Sequence, residues 1–194
     1  MSGPTPSLHP AQNRGLRELY ATARSLAGHW EALEPRFDEP ETRHALVNGI
    51  GRAQALMDEL PDVLAAHNLY VGTAARSAGA SLSGLRGGVA NRFLERNQAL
   101  RTAVLDAQHV VTLLGYQAQL AEGRGSDDIA AFCRRWEREM NEVERAVRKA
   151  AMGIGRDPDG AIERVDTSPV GRAAHASANL LGTFGEWFDR RRGG

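Results

Sequence analysis

A glutamate and a histidine three residues apart on a helix can share a metal ion, and Glu41 and His44 have that spacing. A di-metal site inside a helical bundle needs two such pairs plus two further glutamates projecting inward. The chain has no second pair, and His29, His44, His67, His109 and His175 fall on separate segments. Surface or helix-capping histidines are the reading that this scatter supports, so neither a metal nor another cofactor is expected.

Phosphate chemistry has a different signature, and one region approaches it. Ser81, Ser83, Gly84, Arg86, Gly87 and Gly88 lead into a helical pattern, and Arg92, Arg96 and Arg101 follow. Together with Arg76 these form a run of arginines in which Glu95 is the lone acid. Backbone N–H groups at a helix start, beside arginines, can hold an anion. The spacing matches neither a Walker loop nor a dinucleotide fingerprint. Arg76, Arg86, Gly87, Gly88, Arg92, Arg96 and Arg101 are therefore candidates for an anionic ligand or nucleic acid, set against a plain helix-to-helix link with solvated arginines.

Two smaller constellations fall short of chemistry. Cys133 sits beside Phe132 with no histidine nearby, which favours a buried, unreactive thiol over a nucleophile. Asp157, Asp159 and Gly160 resemble a fragment of a calcium loop whose other ligands are missing. The C-terminal stretch is of another kind. Residues 173 to 185 contain no acid, lysine or arginine, and Leu181, Phe184, Trp187 and Phe188 gather at its end. That pattern suits docking onto the chain's own core or onto a second copy better than a membrane surface, which calls for a strongly cationic polar face.

The elements that must carry these residues are helices. Lys149 is the only lysine, and 24 cations balance 24 acids, which argues against a generally cationic nucleic-acid binder. Aromatics are 6% of the chain and Ala, Leu, Arg and Glu abound, a balance that favours helix over sheet. Residues 1–9 read as a flexible tail and 10–194 as a single domain. Leu16, Leu19, Ala23, Leu26, Trp30 and Leu33 form the stripe of a first helix, broken by the prolines between Glu34 and Pro40. Asp38 and Glu41 have capping-box spacing for a second helix over about residues 40 to 67, with a kink or restart expected at Pro61.

Residues 72 to 88 are a Gly/Ser/Ala-rich connection or a small-residue helix; propensity does not choose between them. Phe93, Leu100, Val104, Ala107, Val111, Leu114, Ala118 and Ala121 mark a long third helix, with Asn97 as a polar seam position and Leu94, Leu105, Val110 and Leu113 widening the stripe. Ser126 is placed to cap a fourth helix, whose seam runs Ile129, Phe132, Trp136, Met140, Val143, Val147 and Ala150 and stops at Gly153. A polar loop is expected over 153 to 168, and Ser168 with Pro169 opens a last helix.

The fold expected is all-α: an antiparallel bundle of four to five helices with one Gly/Ser/Ala-rich connection. No apolar run reaches the roughly 18 residues of a membrane span. The lone cysteine and the absence of a secretory signal pattern point to a reduced, cytoplasmic setting. The function expected is that of a non-enzymatic interaction protein, meeting a protein partner or forming a homo-oligomer through its helix faces. Two alternatives stand beside it: anion or nucleic-acid binding by the arginine run, and a metal-dependent bundle enzyme using His44.

Overall fold

The computed structural model describes residues 8–67 and 95–163. The Gly/Ser/Ala-rich connection and the C-terminal stretch lie outside the described residues. Among those described are five α-helices, a 3-10 turn and no strand: α1 (Pro10–Leu33), α2 (Pro40–Ala65), α3 (Arg96–Glu122), α4 (Asp127–Ile154) and α5 (Pro158–Ala161). None of these helices is long and apolar enough to cross a membrane.

Local chemistry explains where they start and stop. Pro10 at the first position of α1 has a fixed φ and no N–H to leave unpaired. Ahead of it His9 closes the end, its Nδ1 accepting from the Ala11 N–H at 3.2 Å while its own N–H donates to Gln12 Oε1 at 3.2 Å. The expected cap of α2 is displaced: Glu39, not Asp38, is the N-cap, and no side chain bonds the helix end. Proline is the cause, because Pro40 at the first helical position forces its predecessor into an extended conformation. The helix also runs unbroken through Pro61, so the expected restart is absent. Only the backbone bond to the Met57 carbonyl is forgone there, and the helix ends within about one further turn.

Between α3 and α4 the chain turns at Gly125, whose φ of +67° is open to glycine at little cost, and the Ser126 N–H donates back to the Ala121 carbonyl at 2.9 Å. Ser126 does stand at the N-cap of α4, but its side chain makes no capping bond. The fourth helix passes Gly153 and is capped by Gly155. The loop expected beyond it contains α5, capped by Asp157, whose Oδ1 accepts from the Gly160 N–H at 3.1 Å. Asp157 followed by Pro158 is the same cap-and-proline signal as Ser168 followed by Pro169.

Each long helix packs on two others: α1 on α2 and α3, and α4 on α2 and α3, most extensively on α3. Glu34 meets Arg43 and Glu31 meets Gln54 between α1 and α2. Arg52 meets Glu139 and Glu59 meets Arg135 between α2 and α4. Gln108 meets Glu144 and Glu122 meets Arg134 between α3 and α4.

The core is formed by the predicted stripes. Leu16, Leu19, Leu26, Trp30 and Leu33 of α1 are buried, as is the entire seam of α4 from Ile129 to Ala150. Close approach depends on two glycines. A Cβ on Gly49 would lie 2.1 Å from the Trp30 ring, and one on Gly15 would lie 1.9 Å from the Gln117 amide. The stripe of α3 lies where expected, with Leu100, Val104, Ala107, Leu114, Ala118 and Ala121 buried and Val111 partly so; of the residues that widen it, Val110 is fully buried and Leu105 is 62% exposed, while Phe93 and Leu94 lie outside the described residues.

Candidate functional site

Three of the histidines pair with acids from neighbouring elements. His29, buried between α1 and α3, pairs through Nδ1 with Asp106 at 2.5 Å, and His67 pairs through Nε2 with Asp128 at 2.6 Å. His109 lies 3.9 Å from Glu18. His44 is exposed, and Glu41 sits 4.0 Å from Lys149. Among the described residues no three His, Cys, Asp or Glu side chains come close enough to hold a metal ion. His175 lies outside them. Cys133 is fully buried, and burial, aided by the Glu137 carboxylate, pushes its thiol up to about 12. A thiol so far above neutrality supplies no thiolate nucleophile.

The arginine candidates divide. Arg76, Arg86, Gly87, Gly88 and Arg92 lie outside the described residues. Arg96 and Arg101 are both on α3, yet their surroundings differ. The Arg96 guanidinium lies 5.4 Å from the centre of the Phe37 ring, bonds Glu39, and reaches Glu163 at 3.3 Å. It borders a hollow of about 400 Å³ in which, among the described residues, Glu39, Glu41, Asp157 and Glu163 outnumber the cations Arg96 and Lys149. That acid excess repels a phosphate. Asn97, expected in the seam, is instead a satisfied end-of-helix amide that donates to the Ala161 carbonyl at 2.8 Å and accepts from Arg101 at 2.9 Å.

Arg101 belongs to a different feature, an open groove of about 630 Å³ between α3 and α4. Its apolar lining is Val104 and Leu105 from α3 with Ala151 and Met152 from α4, and Arg101 and Arg148 border it. Leu105 is 62% and Met152 63% exposed, so among the described residues nothing covers these two large apolar side chains on facing helices. The two bordering arginines are unequal. Arg148 is tied to Glu144, its Nε donating to Oε1 at 2.8 Å, and the buried Glu144 also accepts from Gln108 at 3.4 Å. Among the described residues Arg101 bonds the neutral Asn97 at 2.9 Å and no carboxylate, and it borders the groove. The volume lies within the roughly 300–1,000 Å³ of sites that take organic groups, and the lining is mostly apolar with a few polar edges.

Sequence reasoning named Arg101 but missed the groove. Leu105 was counted toward the bundle stripe, and Met152 lay past the seam. The available signal was the width of the α3 stripe, broader than two neighbours can cover. The expected apolar C-terminal surface, Leu181, Phe184, Trp187 and Phe188, lies outside the described residues. Comparison of the chain with models of known families, with curated proteins and with solved structures returns no match.

Proposed function

We propose that the four long helices form one antiparallel bundle, and that the protein is a non-enzymatic helical interaction protein, an assembly subunit, adaptor or scaffold. The four pairwise packings close in the order α1, α2, α4, α3, and each carries contacts whose numbering runs in opposite senses, those between α1 and α3 being His29 with Asp106 and Glu18 with His109. This supports the antiparallel arrangement. The observation that carries the function is the uncovered Leu105 and Met152 pair in a groove between two helices. An amphipathic helix laying apolar residues at spacings of three and four into such a groove is a common mode of recognition. In the sequence, Leu181, Phe184, Trp187 and Phe188 offer further apolar side chains that suit self-association.

Native mass spectrometry of the chain isolated from its own cells, with light scattering of the pure protein over a concentration series, tests this. The expected result is a defined complex, with a companion protein or a second copy. A lone chain at every concentration, with no companion, contradicts the proposal.

A further inference from the structure

The outward face of α3 runs on from the groove toward the C-terminal end of the helix. Arg101, Leu105, Thr112, Tyr116 and Gln119 are exposed along it and Gln108 is half-buried, at the three- and four-residue spacings of one helix side. Tyr116 is 56% exposed, so the open groove is followed three turns later by an open aromatic ring. Between Arg96 and Glu122 the only Asp, Glu, Lys or Arg residues are Arg101 and Asp106, and Asp106 is paired with His29. The fourth helix carries ten such residues from Arg134 to Lys149. Scarcity of charge together with exposed Tyr, Met and Arg is the composition of a protein interface.

We infer that a second copy of the chain covers this face, α3 against α3 in opposite directions about a two-fold axis between Val110 and Val111, with Tyr116 of each copy seated in the other's groove. The inference rests on the reading of the groove as a helix acceptor. What selects a second copy is that the face is complementary to itself, as a two-fold contact requires. In this register residues equally far from the axis on either side stand opposite each other. Leu105 meets Tyr116 of the second copy, whose ring enters a seat lined by Val104, Leu105, Ala151 and Met152. The Met152 thioether is a favourable neighbour for an aromatic ring. Gln108 meets Thr112 of the second copy. Arg101, which bonds no carboxylate among the described residues, comes opposite Gln119 and Glu122 of that copy. Charge also fixes the direction. A two-fold pairing in the same direction sets Arg101 against Arg101, whereas the opposed one holds the two about 28 Å apart along the helix.

Photocrosslinking of the full chain tests the inference. Leu105 is replaced by benzoylphenylalanine, and in a control the same group replaces Val47, an exposed apolar residue of α2. Unlabelled and nitrogen-15-labelled chains are mixed and illuminated, and the adducts are mapped by mass spectrometry. The expected result is a link between an unlabelled and a labelled chain, from position 105 to residues 112–120, absent from position 47. Tyr116→Asp should weaken the dimer seen by light scattering by about tenfold or more, as loss of an aromatic anchor does. Spin labels at Thr112 or at Gln119 give a second measurement that leaves the ring in place: the Gln119 pair should be further apart than the Thr112 pair by about 15 Å. Links within one chain only, links to the 101–108 stretch of the second copy, equal spin-label distances, or a Tyr116→Asp dimer as tight as the parent overturn it. Illumination in extracts of the protein's own cells separates the two readings. If position 105 captures a different protein and no second copy, the groove stands and the dimer falls; if it captures nothing there or in the pure protein, both fall.

Discussion

At the scale of single residues, the sharpest consequences come from groups whose surroundings the sequence hides. Gly49 and Gly51 are both mid-helix, and propensity alone predicts the same gain for alanine at each. The structure predicts opposite signs. A methyl group at Gly49 meets Trp30 and, at 2.9 Å, Val143, all in the core, whereas nothing lies within 4 Å at Gly51. Gly49→Ala should cost about 1–2 kcal/mol, overpacking outweighing propensity, and Gly51→Ala should add up to about 1 kcal/mol. Urea denaturation midpoints check both. Gln117 is a second case: it is fully buried against Gly15, and among the described residues neither polar atom of its amide finds a partner. Gln117→Met should therefore stabilise the fold by about 1–3 kcal/mol, and a loss instead would show that the amide is satisfied. Neither feature was legible, because a lone glycine or glutamine carries no periodicity and its neighbour comes from another helix.

At the scale of elements, the helices were legible and their joints less so. The stripes from Leu16 to Leu33 and from Ile129 to Ala150 predicted the buried faces of α1 and α4, because a 3.6-residue repeat leaves the core no other side to use. The starts went astray where proline outranked a polar cap, as at Glu39 and Pro40, and where four residues were too few to show a period, as in α5. Ionic contacts across helices were invisible for the same reason as Gln117, and they set the acid response. Arg135, through a hydrogen bond that outweighs burial, holds Glu59 below the ordinary value of 4.5, and Trp136 donates to the same carboxylate at 3.3 Å. Arg134 does the same for Glu122. Burial works to raise Asp128, but His67 and backbone N–H groups at the start of α4 bring it below 3.8. For carboxyls lowered on folding, the unfolded chain binds protons more readily, so their stabilisation is present above these ordinary values and is lost as pH falls through the folded ones. The melting temperature should decline as pH drops below about 4.5, and Glu59→Gln should flatten that decline. An unchanged slope in the variant would remove Glu59 from the account. All three groups are largely solvated, so the effect of each is modest.

At the scale of the whole molecule, the order of helix pairing could not be read from the stripes, since any apolar face can cover any other. The same ambiguity hid the groove. Leu105 looked like core because α3 is apolar over a wide arc, and only the packing of α4 beside it shows which part of that arc stays open. The single-chain core and the uncovered face are thus two parts of one apolar surface, separated by tertiary structure. That division is the central claim, and paired substitutions test it most directly. In the double variant Leu105→Asp, Met152→Asp, the unfolding free energy from urea denaturation should change by no more than about 0.5 kcal/mol per site, as exposed positions do, while the complex seen by light scattering or native mass spectrometry is lost. Collapse of the midpoint, or a complex that survives both charges, would contradict it.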